Sequence, residues 1–181
     1  SLAYPVTHRR APMHDPNDPR AAAIEAAVAA LLHARRLGEP VAAPTLPDEA
    51  AAYAVQQRVA ATLGWFADGP ARCWKSGGPS REAVQTHAPL PPAGVWPSPA
   101  DAREVPFHRR GIEAELALRL GETVDAARAA MLDAAAAAAL VDAVTVSIEI
   151  VDSRWAEALA APALAKLADL QSHGALVLSD W

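Results

Sequence analysis

Two acid-bearing segments about thirty residues apart constrain this chain more than any other feature. Residues 111–121 read GIEAELALRLG and residues 144–155 read VTVSIEIVDSRW. Apolar and polar residues alternate in each segment, which indicates a β-strand with one buried face. Because alternate positions of a strand share a face, Glu113 and Glu115 lie together on the first strand, and Glu149 lies on the more polar face of the second.

If the two strands pair, the three glutamates point into the same space. Two unit charges 5 Å apart repel by about 3 kcal/mol at an effective dielectric constant near 20, so three carboxylates gathered together favour a bound cation. An all-oxygen site suits Mg²⁺, Mn²⁺ or Ca²⁺ better than zinc. The alternative is that the glutamates occupy the solvent-facing side of two amphipathic strands. Two glutamates at alternate positions of one strand argue against it, because Glu is a weak strand former and like charges repel.

The composition favours a packed domain and argues against several classes of partner. Hydrophobic residues make up 52% of the 181 residues and charged residues 20%, which fits one domain or one domain with a helical appendage. The net charge of −5 supplies no basic field to attract nucleic acid or an anionic membrane. One cysteine, Cys73, and the lack of a signal-peptide core or a bilayer-length apolar run predict a cytoplasmic protein.

The order of patterns along the chain predicts an α+β architecture in three regions. Residues 1–18 are proline-rich without periodicity and are expected to form an arm, and residues 19–64 hold two helices that end at Gly38 and Gly64. Residues 65–181 form the β-rich, metal-binding region. Its expected elements are a strand at 73–74, a turn at 76–79, a short helix at 81–87, a proline-rich connector at 89–106, the first acidic strand, a helix at 125–140, the second acidic strand, a helix at 156–170 and a strand at 175–178.

Several other side chains are candidates for the site. Lys75, between a tryptophan and a glycine turn, could hold a substrate carboxylate or transfer a proton; the alternative is a surface lysine at a strand end. Arg154 closes the second acidic strand and could clamp a carboxylate with two hydrogen bonds; the alternative is a structural Arg–Asp pair. The six histidines, His173 among them, show no ligand spacing and are expected to be surface or capping residues.

Taken in order, several segments resemble the 2-keto-4-pentenoate hydratase branch of the fumarylacetoacetate hydrolase superfamily. The resemblance extends from about residue 20 to the end, and its specific parts are the Glu-x-Glu strand and the Glu-Ile-Val-Asp-Ser-Arg strand. The supporting segments are AAYAVQ at 51–56, WKSGG at 74–78, PAGVW at 92–96 and ADLQSHGALVL at 168–178.

The resemblance implies a mixed β-roll around an Mg²⁺ or Mn²⁺ site, in an oligomeric enzyme that acts on small 2-oxo acids from aromatic-compound breakdown. By position, Lys75 matches the family's active-site lysine and Ser172 a serine of the substrate pocket. The residues that match the metal ligands are Glu113, Glu115 and Glu149. The implied reaction is hydration of a 2-hydroxy-2,4-dienoate to a 4-hydroxy-2-oxo acid.

Two alternatives remain open beside the hydratase. A decarboxylase of 2-oxo-3-hexenedioate is implied to use the same metal site, and sequence does not separate the two activities. A non-catalytic relative that binds a 2-oxo acid is the other alternative, because Pro92 and Ala93 stand where the family commonly has an acidic residue. The family also continues beyond the position of Trp181, so we expect the C-terminal part of its fold to be absent from this chain.

Overall fold

The computed structural model describes residues 18–78, 80 and 82–181, so the predicted arm lies outside the described residues except for Asp18. The helices are α1 (Pro19–Leu37), α2 (Glu49–Leu63), α3 (Ala126–Ala129), α4 (Ala134–Ala139) and α5 (Ala163–Ala168). The strands are β1 (Trp74–Gly77), β2 (Thr86–Pro89), β3 (Val95–Pro97), β4 (Gly111–Leu120), β5 (Val141–Val151) and β6 (His173–Leu178). Short 3₁₀ turns occupy Pro92–Gly94, Ala158–Ala160 and Leu170–Ser172. The predicted α+β class is confirmed.

The first two helices begin and end where their local residues dictate. Asp18 and Asp48 cap them, each accepting a hydrogen bond from a backbone N–H of the first turn. Such a cap stabilises a helix by about 1 kcal/mol. Gly38 and Gly64 end the helices in the left-handed conformation, with φ of 69° and 65°, which glycine adopts without a steric penalty. The predicted bounds of both helices are confirmed.

The hydrophobic core lies between α1, α2 and α5. Trp155, just beyond β5, is buried in this core, and its indole Nε1 donates to the carbonyl of Ala165 at 2.7 Å. The larger aliphatic residues around it include Leu31, Val55 and Leu167. Buried alanines fill the rest of the contact, and their short side chains allow the helices to approach closely. The helical core therefore anchors the end of the second acidic strand.

The strands form two sheets. β1 and β2 make an antiparallel ribbon, and the other four strands form a mixed sheet in the order β3-β6-β5-β4. β4 pairs antiparallel with β5, β5 antiparallel with β6, and β3 parallel with β6. The two acidic strands are therefore neighbours, as the sequence predicted, and β4 lies at an edge of the sheet.

The polar face of the β4–β5 pair is buried along β5 and partly exposed on β4, and the apolar face is exposed. On β5, Ser147 and Glu149 are 3% and 1% exposed. The apolar face exposes seven aliphatic side chains by 43% to 72%: Ile112, Leu116, Leu118, Leu120, Val144, Val146 and Ile148. The polar face is covered because Lys75 of β1 and the turn at Leu170–Ser172 lie against it. Alternation correctly predicted which residues share a face but did not indicate which face is covered.

Two of the predicted helices are shorter than expected. The helix expected over 125–140 is interrupted, because Asp133 caps a new helix by accepting from the Ala136 N–H at 2.8 Å. The helix expected over 156–170 is confined to α5, since Pro162 precedes it and disfavours helical geometry at the residue before it. Among the described residues, no helix combines the length and apolar composition needed to span a bilayer.

The region between the helices and the acidic strands also differs from expectation. The short helix expected over 81–87 is not present in its described residues, where a turn leads into β2. Ser76 and Gly77, expected in a turn, belong to β1 and pair with His87 and Thr86 of β2. The proline-rich connector contains β3, which is held by parallel pairing to β6. Pairing between segments distant in sequence overrides the local turn signals here.

Candidate metal centre

The three predicted glutamates come together on the polar face of the β4–β5 pair. The register of β4 and β5 places Glu113 directly opposite Glu149 and Glu115 opposite Ser147. One carboxylate oxygen from each glutamate lies within 4.8 Å of the other two. Glu149 is buried, Glu115 is partly buried and Glu113 is exposed, so the cluster opens toward solvent on the Glu113 side.

This arrangement fits a hard divalent cation. Oxygen ligands lie about 2.0–2.6 Å from Mg²⁺ or Ca²⁺, so two ligands of one ion are at most about 5 Å apart. The three oxygens meet this limit, and an all-carboxylate donor set is of the type that these ions prefer. The cluster can therefore hold a metal ion, and the assignment of the individual glutamates as ligands stays a prediction.

Glu149 is the most heavily contacted member of the cluster. Lys75 Nζ donates to its Oε2 at 2.5 Å, and the His173 ring bonds its Oε1 through Nδ1 at 2.8 Å. Burial alone raises the pKa of Glu149, but the hydrogen bond from His173 and the charge and hydrogen bond of Lys75 outweigh it, so its pKa is lowered. The carboxylate is then an acceptor only, and Nδ1 of His173 carries the donated proton.

The same surroundings shift the pKa of Glu115 in the opposite direction. Burial raises the pKa of its carboxyl, and the charges of Glu149 and Glu113 raise it further, while Lys75 opposes them. Because none of the described residues donates a hydrogen bond to Glu115 that would offset burial, its ionisation is disfavoured unless more positive charge is supplied nearby. A bound cation would supply that charge.

Lys75 is held inside the site rather than on the surface. Its side chain is 13% exposed, and besides Glu149 its Nζ donates to the carbonyl of Gln171 at 3.3 Å. Pairing of β1 with β2 fixes the strand on which it lies. The contacts contradict the surface-lysine alternative and place a primary ammonium beside the carboxylate cluster.

A left-handed turn forms the next part of the site. Leu170, Gln171 and Ser172 have φ of 54°, 55° and 60° in succession, a conformation that costs non-glycine residues on the order of 1–3 kcal/mol each. The turn directs the carbonyl of Gln171 at Lys75. It also buries the Ser172 hydroxyl without a hydrogen-bond partner among the described residues. Ser172 was predicted to lie in a substrate pocket, and that role stays a prediction.

His173 was missed by the sequence analysis. It was expected to be a surface or capping residue, and this expectation is wrong, because the ring is 3% exposed and bonds Glu149. Burial lowers the pKa of His173 more than its hydrogen bond with Glu149 raises it, so the neutral ring is favoured. No local spacing marks this histidine; only the pairing of β6 with β5 brings it to the cluster.

Arg154 lies in a buried ion-pair cluster. Its Nε donates to both carboxylate oxygens of Asp169 at 2.8 and 2.9 Å, its Nη2 donates to the carbonyl of His173 at 2.8 Å, and its Nη1 lies 3.5 Å from Asp152. Arg35 joins the cluster by donating to Asp169 at 3.0 Å. Its assignment as a clamp for a substrate carboxylate stays a prediction, although every guanidinium nitrogen of Arg154 has a protein partner through these contacts. They favour the structural Arg–Asp pair.

Comparisons with known proteins identify the fold. No family model matches the chain, and no curated protein matches it by sequence. Among solved structures, the chain is similar to 4-oxalocrotonate decarboxylase from Pseudomonas putida G7 complexed with magnesium and adipate, with a TM-score of 0.67 and 17% identity over 86% of this chain and 61% of that chain. The same enzyme complexed with calcium and acetate gives a TM-score of 0.63 and 18% identity over 87% of this chain and 62% of that one.

The likeness shows a shared fold. Over most of its length the chain has the fold of this decarboxylase. The chain spans about three fifths of the length of the decarboxylase chain, 61% and 62% in the two structures. Both of those structures contain a divalent cation, magnesium or calcium.

Proposed function

We propose that this protein is a divalent-metal-dependent lyase that acts on a small 2-oxo acid. The reaction we assign first is addition of water to a 2-hydroxy-2,4-dienoate to give a 4-hydroxy-2-oxo acid, in the cytoplasmic breakdown of aromatic compounds. The single observation that carries the proposal is the cluster of Glu113, Glu115 and Glu149, with Lys75 bonded to one member. The likeness to a magnesium-complexed decarboxylase supports it.

The three glutamates would hold Mg²⁺ or Mn²⁺. When bound, the cation would supply Lewis-acid polarisation of the substrate's carboxylate and 2-oxygen. Glu149 is oriented for this task by two donors, Lys75 on one oxygen and His173 on the other. Such supporting hydrogen bonds fix a ligating carboxylate in one rotamer.

Lys75 would bind the substrate carboxylate or transfer a proton during the reaction. Its ammonium lies within the site, fixed by Glu149 and by the carbonyl of Gln171, and it can pair with a substrate carboxylate or transfer a proton to carbon or water. The hydroxyl of Ser172, buried and without a partner among the described residues, would donate a hydrogen bond to the substrate. Arg154 would support the site through its ion pairs instead of touching substrate.

Decarboxylation of 2-oxo-3-hexenedioate is the second candidate, and a specific observation favours it. The structural neighbour is a decarboxylase complexed with adipate, which is a six-carbon diacid. In this chain Pro92 and Ala93 also stand where the hydratase resemblance expects an acidic residue, so a proton-transfer group of the hydration reaction is replaced. The same replacement supports the third candidate, a non-catalytic protein that binds a 2-oxo acid.

One set of assays separates the three candidates. The protein is mixed with Mg²⁺ and 2-hydroxypenta-2,4-dienoate, and loss of the dienol absorbance is followed; in parallel, CO₂ release from 2-oxo-3-hexenedioate is measured. Metal-dependent loss of the dienol supports the hydratase, and CO₂ release alone supports the decarboxylase. Calorimetric binding of Mg²⁺ and oxalate without either turnover supports the binding protein, and binding of neither ligand contradicts the proposal.

We further propose that the protein forms a homo-oligomer through the exposed apolar face of the β4–β5 pair. Contiguous exposed aliphatic patches of this kind are rare on monomeric proteins and often mark a surface that binds another protein. Burying such surface contributes roughly 25 cal/mol for each Å² removed from water. The face includes Leu116, which is 72% exposed, and it is opposite the face that carries the glutamates. A second copy could therefore cover it without blocking the carboxylate cluster.

A further inference from the structure

Lys75 lies on a two-stranded ribbon that is separate from the four-stranded sheet bearing the glutamates. In this ribbon Lys75 pairs with Ala88, and Gly77 pairs with Thr86. Because alternate residues of a strand share a face, and directly opposed residues of paired strands do as well, Lys75 and Thr86 project from the same face. A lone two-stranded hairpin is marginally stable in water. The place of the Lys75 ammonium therefore depends on the contacts that hold the ribbon to the rest of the protein.

Gln171, in the turn before β6, contacts this face of the ribbon at two points. Its side-chain Nε2 donates to the hydroxyl of Thr86 at 2.6 Å, and its main-chain carbonyl accepts from Lys75 Nζ at 3.3 Å. Nε2 also lies 3.5 Å from the carbonyl of Gly77, at the end of β1. A single residue therefore fastens the ribbon and receives a hydrogen bond from the ammonium that the ribbon carries.

The left-handed conformation of Gln171 is held from both sides. Its φ of 55° is unfavourable for a residue with a side chain, and such strain persists only where the surroundings impose it, commonly at functional sites. Before it, the carbonyl of Asp169 accepts from the Ser172 N–H at 3.0 Å, and after it the carbonyl of Ser172 accepts from the Asp152 N–H at 2.9 Å. Asp169 is itself fixed by its ion pair with Arg154. In this conformation the carbonyl and the side chain of Gln171 reach the ribbon together.

The carbonyl of Gln171 is the second acceptor of Lys75, and it differs from the first. Glu149, the first acceptor, is also one of the three proposed metal ligands, so a cation bound there would compete with the ammonium for the negative charge of that carboxylate. The Gln171 carbonyl is not one of the clustered carboxylate oxygens. It can therefore continue to accept from Lys75 when Glu149 contacts a cation.

We propose that Gln171 is a positioning residue for Lys75. Its amide, bonded to Thr86, fixes the ribbon against the turn, and its carbonyl holds the ammonium beside the carboxylate cluster. The consequence for turnover rests on the proposed function. The positioning itself is a property of the folded chain and is tested without substrate or metal.

Acylation of the full chain by an N-hydroxysuccinimide ester in EDTA measures how often the Lys75 ammonium leaves its two acceptors. Lys75 and Lys166 are the two lysines of the chain, so mass spectrometry gives a rate for each of them in one sample. Thr86→Val should raise the rate at Lys75 relative to Lys166 by about fivefold, the effect on local opening of removing one hydrogen bond. Gln171→Met, which keeps the carbonyl and removes the amide, should raise it by about the same factor.

Three further variants separate positioning from a general loss of stability. Thr86→Ser keeps the hydroxyl and should restore the Lys75 rate to within about twofold of the original. Thr145→Val is the matched control, because it removes a hydroxyl that donates to the carbonyl of Asp180 at 2.7 Å, and the Lys75 rate should stay within about twofold. The double variant of Thr86→Val and Gln171→Met should show no larger rise than Thr86→Val alone, because both substitutions remove the same hydrogen bond.

Three results would overturn the positioning role. They are a Lys75 rate in Gln171→Met within about twofold of the original, an equal rise in Thr145→Val, and a multiplied rise in the double variant. Gln171→Met decides the proposal if Thr86→Val does not fold.

Turnover of the 2-oxo acids named above, measured with Mg²⁺ on the same variants, separates this inference from the proposed function. The kcat should fall in Thr86→Val and recover in Thr86→Ser. Calorimetric Mg²⁺ affinity should be retained in both, because the three glutamates lie on β4 and β5. Raised acylation of Lys75 in the variants, with no turnover by the unaltered chain, would reject the proposed function and support the positioning. Unchanged acylation in an active protein would reject the positioning and leave the function standing.

Discussion

Lys75 and Glu149 are 74 residues apart in the chain, yet the ammonium nitrogen of one lies 2.5 Å from a carboxylate oxygen of the other. This contact places a positive charge at the most buried of the three clustered glutamates. When all three carboxylates are ionised, their charge of −3 and the +1 of the ammonium sum to −2. A divalent cation balances that sum, so the lysine complements metal binding instead of replacing it.

Replacing one glutamate of the cluster should weaken metal binding selectively. Glu115→Gln removes one of the three carboxylates whose oxygens lie within 4.8 Å of one another. We therefore expect the affinity of this variant for Mg²⁺ or Mn²⁺ to fall by at least about tenfold. The matched control is Glu122→Gln, whose exposed carboxylate pairs with Arg128 outside the cluster. Calorimetric titration of both variants measures the difference, and equal losses would reject the ligand assignment.

Removing the lysine should separate binding from turnover. In Lys75→Met the carboxylates keep their positions but lose the competing ammonium, so metal affinity should be retained or increased. Turnover of the 2-oxo acid should fall by about 10²–10⁴-fold, the usual contribution of a proton-transfer group. Lys166→Met is the control, because that amine donates to a carbonyl at Leu159 and not to the cluster. Unchanged rates in Lys75→Met would remove Lys75 from the mechanism.

The pKa shifts predict opposite stability effects for two neighbouring glutamates in metal-free buffer. The folded-state pKa of Glu149 is lowered, so its favourable contribution is fully present above its unfolded pKa near 4.3 and is lost as pH falls through the folded value. Glu149→Gln, which leaves Lys75 without its carboxylate partner, should lower the free energy of unfolding at pH 7 by about 3 kcal/mol.

Glu115 should behave in the opposite way. Its folded-state pKa is raised, so stability is greatest below the unfolded pKa and is lost as pH rises through the folded value. Glu115→Gln should therefore raise the free energy of unfolding at pH 7, and the increase should vanish on acidification to about pH 4. Urea unfolding across this pH range measures both variants. A destabilised Glu115→Gln at neutral pH would contradict the assigned environment.

Breaking the buried Arg154 pair should affect stability and leave the metal site intact. Arg154→Met leaves Asp169 buried with less compensation, so the free energy of unfolding should fall by about 3–5 kcal/mol. Affinity for Mg²⁺ should be retained in the folded fraction at low temperature. Unaltered stability together with lost affinity for oxalate would instead support a role for Arg154 in substrate binding.

The exposed apolar face predicts a specific effect on self-association. Leu116→Lys puts a charge on the 72% exposed face of β4 and should shift the protein toward monomer in light-scattering chromatography. Leu159→Lys, at a side chain 63% exposed in the 3₁₀ turn Ala158–Ala160, is the matched control and should leave the oligomer unchanged. A monomeric original protein, or equal effects of the two substitutions, would contradict an interface on this face.

Local signals in the sequence were sufficient for the early helices and for the two acidic strands. Asp48 and Gly64 delimit α2 through hydrogen bonds within one turn of the chain, so no distant residue is needed to define it. The strand alternation likewise placed Glu113 and Glu115 on one face, and it is confirmed by the β4–β5 register. Where long-range pairing competes with local signals, as at Ser76 and Gly77, the local prediction was wrong.

The sequence by itself determined which residues share a face and which side chains can gather as a carboxylate cluster, because strand periodicity and helix caps act over a few residues. Only the tertiary structure decided which face is covered, that His173 forms a hydrogen bond with Glu149, and that Arg154 forms an ion pair with Asp169. Each of these outcomes depends on contacts between segments that are 15 or more residues apart. A period of two carries no information about what will lie against a strand. Burial of Glu149 therefore depends on the packing of β1 and of the turn before β6.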